Sequence, residues 1–314
     1  MKRLLALGFG LFCACGAMAQ EQYPSRPITL IAAYPPGGNT DLMARAIQPE
    51  LQRALGQTVV VVNRGGAAGT IGSAELARAR PDGYTIAISP NNPITAQPHA
   101  IPLTYSLDSF RFLCLVYDNP QVVILGRNAP FRDFQGLVAH GRSGREALVY
   151  GAPGAASTQH ILMAALLRQA NIEALMVSYT GAGPMAQAAL SGTIMAFIEA
   201  SSIPASTGLS AIAVVGRDRL PHLPDVPTTA ELGYPVAGTS HGGLIAPAGI
   251  PEAAAQAIER ACETAVASDG FRATAQRLAS VPRFLPGAQF RERFAAESEA
   301  NRTLLRDLGL ARQN

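Results

Sequence analysis

Short apolar runs alternate with segments of helical periodicity along most of the chain. The runs are rich in the β-branched and aromatic residues that favour strands. They are ITLIAAY, TVVVVN, YTIAIS, VVILG, ALVYG, ALMVSY, IMAFIE and AIAVVG. The segments with apolar residues three or four positions apart are DLMARAIQPELQRALG, GTIGSAELARARPDG, STQHILMAALLRQAN and PMAQAALSG. This alternation predicts an α/β fold of packed layers with largely parallel strands.

The first helical segment contains a proline inside its apolar pattern. Met43, Ile47, Leu51 and Leu55 would form one stripe along the helix. Pro49 lies within that stripe, and because proline removes a backbone donor and clashes with the preceding turn, we expect a kink or a break there. The segment 251–310 predicts two or three further helices, whose Glu and Arg residues form a solvated face.

The amino terminus predicts an exported protein. Lys2 and Arg3 precede an apolar stretch that is too short to span a bilayer comfortably, and the small residues of a cleavage site end at Ala19. We therefore interpret residues 1–19 as a signal peptide that is removed. Lipid attachment at Cys15 is the alternative, although the residues before it fit such a signal poorly.

Composition then limits the classes of partner. The 314 residues are 48% hydrophobic, which is enough for a sizeable core and about two domains. Without the signal peptide the formal net charge falls from +3 to +1. A near-neutral chain without basic runs gives no electrostatic reason to bind nucleic acid or anionic lipid.

Two of the four cysteines lie in the signal peptide, which leaves Cys114 and Cys262. These two form either a disulfide or a pair of buried thiols, because sequence alone does not show how close their Cα atoms lie. Neither belongs to a CxxC pair and the histidines are scattered, so we expect no zinc site. The loop NRGGAAGTIG lacks the pattern G-x-G-x-x-G and no Walker loop is present, so we expect no cofactor.

The strand ITLIAAY leads through Pro-Pro-Gly-Gly into a helix that opens with Asn39, Thr40 and Asp41. The first backbone N–H groups of a helix have no partner within it, and the positive end of the helix dipole lies behind them. Such an end suits a small anion such as a carboxylate. Gly37 and Gly38 would let a ligand approach the backbone closely. A merely capped turn between strand and helix is the alternative.

The same arrangement of strand, glycine-rich loop and helix recurs along the chain. It is repeated in TVVVVNRGGAAGTIGSAELA, ALVYGAPGAASTQHILMAALL and ALMVSYTGAGPMAQAAL. Loops at the carboxyl ends of parallel strands are where open α/β sheets bind ligands. The repetition therefore favours a binding site over a single capped turn.

An ordered set of motifs resembles the Bug family, the solute-binding receptors of tripartite tricarboxylate transporters. The motifs are YPSRPITLI, PPGGNTD, VVVNRGGAAGTIG, ARPDGYTI, YGAPGAASTQH, YTGAGPMAQAALSG, LPDVPTTAELGYP and GGLIAPAGIP. The resemblance covers essentially everything after the signal peptide. It implies a two-lobed, type II periplasmic binding protein fold with a ligand cleft between the lobes. It also implies a small carboxylated solute as ligand and the membrane subunits of a transporter as partners.

The resemblance places the crossings between lobes near Asn119 and Thr239. One lobe would comprise residues 20–119 and 240–314, and the other residues 120–239. We expect a monomer. Family members bind the ligand carboxylate through backbone amides and small hydroxyls of the loops after the first strands of each lobe. Together with neighbouring residues, the corresponding positions here are Tyr34, Pro36, Gly37, Gly38, Asn39, Thr40, Asp41, Ala67, Ala68, Ala156, Ser157, Thr158, Ala182 and Glu199.

Glu199 follows the run IMAFI, where the family often carries an aspartate near the mouth of the second lobe. If Glu199 faces the cleft, it would repel a ligand carboxylate and accept hydrogen bonds from an ammonium, an amide or a hydroxyl. A helix cap or a pair with an arginine is the alternative. The chain departs from the family pattern in the loop 151–157, at Met195 and around His241, so the family does not identify the solute.

Other interpretations compete with a transport receptor. GTSHG, around Ser240, matches the nucleophile elbow of α/β hydrolases, but a strand rather than a helix is predicted after it and no His follows His241. A periplasmic sensor subunit would need the same cleft and stays open. Arg45 and Arg64 bind either a ligand carboxylate or neighbouring loops, and we expect structural roles for His99 and His160.

Overall fold

The structure is a computed structural model that describes residues 23–312. The predicted signal peptide lies outside the described residues. The strands are β1 (Ile28–Ala32), β2 (Val59–Asn63), β3 (Thr85–Pro90), β4 (Phe110–Leu125), β5 (Leu148–Ala152), β6 (Ala174–Ser178), β7 (Ala196–Ala200), β8 (Ala211–Val214), β9 (Thr239–Pro247) and β10 (Val281–Pro286). Each predicted apolar run therefore contributes to a strand, which confirms the α/β prediction.

The helices lie between the strands and in the carboxyl-terminal segment. They are α1 (Asn39–Leu55), α2 (Thr70–Ala77), α3 (Asn92–Thr95), α4 (Gln97–Ala100), α5 (Phe134–Ser143), α6 (Thr158–Gln169), α7 (Ala182–Ser191), α8 (Ile203–Thr207), α9 (Glu252–Ala267), α10 (Asp269–Arg277) and α11 (Gly287–Asp307). Short 3-10 turns cover Ala67–Gly69 and Leu107–Ser109. The helices of 251–310 are confirmed, but they enclose a strand that the sequence pattern did not predict.

The predicted break at Pro49 is wrong, since α1 continues through it to Leu55. Met43, Ile47 and Leu51 of the predicted stripe are fully buried. They pack in one core cluster with residues of α9 and α10. This burial offsets the backbone hydrogen bond that the proline removes.

The strands follow the order β2-β1-β3-β9-β4-β7-β5-β6, and β10 and β8 also pair with β4. β1 is parallel to β2 and β3, and β5 is parallel to β6 and β7. All pairings of β4, and that of β3 with β9, are antiparallel. The expectation of a largely parallel sheet is therefore wrong, because two returning strands join the two parallel groups.

β4 belongs to two groups of strands. Its residues from Phe110 to Pro120 pair with β9, and its residues from Gln121 to Leu125 pair with β7. The first sheet is defined here as β2, β1, β3, β9 and β10 with the first part of β4. The second sheet is defined as β6, β5, β7 and β8 with the last part of β4.

Each sheet has its own hydrophobic core. The first sheet is covered on one face by α1, α9 and α10, and on the other by α2, α3 and α11. The second sheet is covered by α5 and α6 on one face and by α7 on the other. The helices cover the faces of the sheets, so loops and the amino ends of helices lie at the carboxyl ends of the parallel strands.

Cys114 on β4 and Cys262 on α9 form a disulfide, with Cα atoms 6.6 Å apart. The choice that the sequence left open is thus decided in favour of the bridge. Both residues are fully buried in the core between the first sheet and α9. The bridge fixes a carboxyl-terminal helix to the strand that both sheets share.

Candidate functional site

A cavity of about 510 Å³ lies among the loops that follow the strands of both sheets. Its lining comes from the ends of β1, β3, β5, β6 and β7 and from positions in β4 and β9. The lining residues are Tyr34, Pro35, Pro36, Gly37, Gly38, Asn39, Thr40, Leu42, Pro90, Asn92, Asn119, Pro153, Thr158, Gln159, Thr180, Gly181, Ala182, Gly183, Pro184, Glu199, Ala200, Ser202, Ile203, Ser240 and Leu278.

Most of the ligand-binding residues predicted from the sequence lie in the wall of this cavity. They are Tyr34, Pro36, Gly37, Gly38, Asn39, Thr40, Thr158, Ala182 and Glu199. The nominated residues that do not line it are Asp41, Ala67, Ala68, Ala156 and Ser157. Those five use their polar groups within the protein, where they shape the loops around the cavity.

Asp41 organises the loop before α1. Its carboxylate accepts hydrogen bonds from the Gly37 amide (2.9 Å), Arg45 Nε (3.0 Å) and Asn63 Nδ2 (2.9 Å). The residue is only 2% exposed. Burial alone would raise the pKa of Asp41, but the hydrogen bonds from Arg45, Gly37 and Asn63 outweigh it and hold the pKa below its ordinary value. Asp41 is therefore a buried residue with a structural role, and it does not line the cavity.

The turn at Ala67 and Ala68 supports Tyr34 from behind. The Tyr34 hydroxyl donates to the Ala68 carbonyl at 2.9 Å, and the Thr70 hydroxyl donates to the Ala67 carbonyl at 2.9 Å. The contribution of this second glycine-rich loop is therefore indirect. It holds the ring of a lining residue.

Ala156 and Ser157 fix the amino end of α6. The Ser157 hydroxyl accepts a hydrogen bond from the His160 amide at 3.2 Å and caps the helix. The Ala156 amide donates to His160 Nδ1 at 3.0 Å, and its carbonyl accepts from Asn92 Nδ2 at 2.7 Å. Burial lowers the pKa of His160. The structural role expected for this histidine is confirmed.

Three helices direct their amino ends at the cavity. Asn39 and Thr40 open α1, Thr158 and Gln159 open α6, and Ala182 and Gly183 open α7. Among the hydrogen bonds of residues 23–312, none uses the backbone N–H of these six residues. The donors and the positive dipole ends behind them favour an anion in the cavity.

Glu199 is the only lining residue with an acidic or basic side chain in the described part of the chain. It lies within β7, near its end, rather than just after the strand. Its Oε1 accepts from Gln159 Nε2 (3.3 Å) and from the Ala200 amide (2.9 Å). Burial raises the pKa of Glu199 to about 6. It caps no helix and pairs with no arginine among the described residues.

Several lining residues were not nominated from the sequence. Gln159 and Thr180 lie in glycine-rich motifs that the sequence analysis had assigned to the binding site, so these two residues could have been predicted. Asn119 lies inside the long strand β4, and no turn chemistry marks it. Its side chain is 1% exposed, and its Oδ1 is buried without a hydrogen-bond partner among the described residues.

Ser240 lines the cavity but lies in β9, and the strand continues to Pro247. It is therefore not on the strand-to-helix turn that a nucleophile elbow requires. The next residue, His241, turns away from the cavity and pairs with Glu297 at 3.0 Å. Although burial would raise the pKa of Glu297, hydrogen bonds from His241, Asn91 and Thr95 hold it below its ordinary value. His241 thus ties β9 to α11.

The other charged candidates form structural contacts. Arg45 pairs with Asp41 at 3.0 Å and Arg64 with Glu75 at 2.9 Å, and neither arginine lines the cavity. His99 Nε2 lies 2.8 Å from Ser298 Oγ. These residues hold loops and helices together, as one of the two sequence interpretations had it.

No helix within residues 23–312 is long and apolar enough to cross a membrane.

The sequence matches the family described as tripartite tricarboxylate transporter family receptor over residues 43–310. BugT of Bordetella pertussis (strain Tohama I) is 37% identical over 250 residues, which are 75% of this chain and 75% of that protein.

Solved structures agree with this match. The periplasmic binding protein BugD superposes with a TM-score of 0.85 at 25% identity, over 93% of this chain and all of that one. MatC of Rhodopseudomonas palustris with bound malate gives a TM-score of 0.83 at 24% identity, over 90% of this chain. The superposition covers 100% of the MatC chain, and the two proteins share the fold. The chain therefore has the α/β fold of a two-lobed periplasmic binding protein.

Proposed function

The chain belongs to the tripartite tricarboxylate transporter receptor family, and we propose that it binds a small carboxylated solute in its cavity. It delivers this solute to the membrane subunits of such a transporter. The receptor is exported to the periplasm, where it acts as a monomer without cofactor and without catalysis. A sensor subunit is not proposed, because the matching family is one of transporter receptors.

The observation that carries the proposal is the convergence of three helix amino ends on one cavity. Asn39, Thr158 and Ala182 mark these ends, and each is followed by a further lining residue with a free backbone N–H. Their donors replace the water that a carboxylate loses on binding, and the helix dipoles favour its charge. No lysine or arginine is needed for such a site.

The division into lobes is part of the proposal. Residues 20–119 with 240–314 form one lobe and residues 120–239 form the other, with the cavity between them. The change of partner along β4, from β9 to β7 after Pro120, supports this division. The start of β9 at Thr239 supports the second crossing.

A non-catalytic role is supported by the composition of the lining. Among the described lining residues there is no histidine, cysteine or lysine. Ser202, Ser240 and the lining threonines therefore have no imidazole or amine in the cavity to activate them.

A thermal-shift screen of carboxylic acids on the purified protein tests the proposal. A ligand at one hundred times its dissociation constant stabilises the folded state by about 2.7 kcal/mol, so we expect the melting temperature to rise by several degrees. If no mono-, di- or tricarboxylate or amino acid raises it at millimolar concentration, the proposed function is wrong.

A further inference from the structure

The charges around the cavity are asymmetric. Three helix ends supply partial positive charge, and Glu199 supplies the one full charge, which is negative, among the described lining residues. A ligand carboxylate bound by the helix ends therefore shares the cavity with a second carboxylate that belongs to the protein. No side-chain cation lines the cavity in the described part of the chain to accept another negative group of the ligand.

Glu199 has an unused acceptor. Both hydrogen bonds that it accepts go to Oε1, from Gln159 and Ala200. Among the described residues, no group donates to Oε2. The side chain is only 7% exposed. Burying a carboxylate without a counter-charge costs free energy. A hydrogen-bond donor of the ligand would offset part of that cost and so strengthen binding.

Asn119 is a second acceptor residue beside the cavity. Its Oδ1 is buried without a partner among the described residues, and the residue lines the cavity. Asn119 precedes Gln121 on β4, and Gln121 pairs with Ala200, the neighbour of Glu199 on β7. Two acceptors without partners thus lie on adjacent strands. A buried acceptor that stays unpaired destabilises the protein, but Asn119 Oδ1 has almost no accessible surface, so Glu199 is the acceptor that a ligand donor would meet.

We infer that the solute is a monocarboxylate that also carries a hydrogen-bond donor, such as an amino acid or a hydroxy acid, and that Glu199 binds the donor and disfavours a second carboxylate. The inference rests on the proposed function for the first carboxylate. It adds the chemistry of the other end of the ligand, and it makes Glu199 a specificity-determining residue.

Isothermal titration with matched ligands tests the inference. For each carbon number, the probes are an unsubstituted monocarboxylate, an amino acid, a hydroxy acid and a dicarboxylate. With wild-type protein we expect an amino or hydroxy acid to bind more tightly than the dicarboxylate of equal length by about tenfold to a hundredfold. Glu199→Gln should weaken the donor-bearing acid by a similar factor and strengthen the dicarboxylate relative to wild type. Glu292→Gln, which removes the same charge from the exposed face of α11, should change neither affinity.

The outcomes separate the two proposals. If dicarboxylates bind the wild type as tightly as donor-bearing acids of the same length, the inference is wrong and the receptor function stands. Equal affinities of wild type and Glu199→Gln for every probe would also overturn it. If the wild type binds none of the carboxylates, the proposed function fails, and the inference fails with it.

Discussion

The carboxylate of Asp41 accepts a hydrogen bond from the backbone amide of Gly37 at 2.9 Å. Asp41 thus accepts a hydrogen bond from a backbone amide that the sequence analysis had assigned to the ligand. In return it fixes the loop, so that Asn39 and Thr40 present their own amides to the cavity. The Pro-Pro-Gly-Gly interruption is a loop of defined shape, held from beneath by a buried carboxylate.

Asp41→Ala should therefore destabilise the protein and weaken ligand binding. It leaves the Gly37 amide without its acceptor and removes one of the two acceptors of Asn63 Nδ2, which we expect to cost about 3 kcal/mol. The pKa of Asp41 is lowered, so its contribution is present above the pKa of the unfolded carboxyl. It is lost as the pH falls through the lower folded value. Urea unfolding at two pH values measures both effects.

Asp108→Ala is the matched control, because Asp108 is exposed and pairs with Arg291 on the surface. Its cost should stay below about 1 kcal/mol. Equal losses for the two variants would contradict the role given to Asp41.

Glu199→Gln should stabilise the unliganded protein near neutral pH. Burial raises the pKa of Glu199 to about 6, so the folded protein holds this proton more tightly than the unfolded chain does. The resulting stability is complete below the unfolded pKa and is lost as the pH rises through the folded pKa. Removing the carboxylate should recover about 2 kcal/mol near neutral pH and nothing in acid.

Denaturant unfolding of the wild type and Glu199→Gln across this pH range measures the difference. Glu292→Gln should show no such pH-dependent gain, since Glu292 is exposed. A Glu199→Gln variant that is no more stable than wild type near neutral pH would mean that the carboxylate is not desolvated.

Gly38→Val should abolish binding in a folded protein. Gly38 has φ −77°, a conformation that any residue adopts, and a Cβ there would meet only the Pro35 carbonyl oxygen at 3.5 Å. The added side chain therefore fits the fold and occupies ligand space. Gly216→Val, at a glycine outside the cavity lining with open space around its Cβ, is the control. Circular dichroism and titration calorimetry separate folding from binding, and undiminished affinity in Gly38→Val would remove this loop from the site.

The double variant Cys114→Ala, Cys262→Ala should lose stability. The bridge joins residues 148 positions apart, and restricting so long a loop in the unfolded chain stabilises by about 3–5 kcal/mol. A lower urea midpoint is the expected result, with ligand affinity unchanged because neither residue lines the cavity. An unchanged midpoint, or free thiols in the denatured, unreduced wild type, would contradict the bridge.

Local sequence patterns predicted most of the strands. The first part of β4 and the whole of β10 were missed. Pro120 interrupts β4 at the point where its partner changes from β9 to β7. β10 carries Pro282 and Pro286, and among the described strands it pairs only with β4. Proline is tolerated at such positions because few ladder hydrogen bonds are lost. The antiparallel pairings join residues far apart in sequence, so no local pattern contains them.

The site was predictable as far as glycine-rich loops marked it. The loops containing Gly38, Thr158 and Ala182 were found from their motifs and line the cavity. Asp41 and Ser157 were assigned to the ligand, but short polar side chains near helix starts also bond to the local backbone, and here they do so. Asn119 was named only as a crossing between lobes and not as a lining residue, because only tertiary pairing brings its strand to the cavity.

We propose that helix amino ends bind the ligand carboxylate without any side-chain cation. Calorimetric titration of the tightest-binding acid against its own primary amide tests it most directly, because the two differ in charge and hardly in shape. We expect the amide to bind at least about tenfold more weakly than the acid. An amide that binds the wild-type protein as tightly as the acid would contradict it.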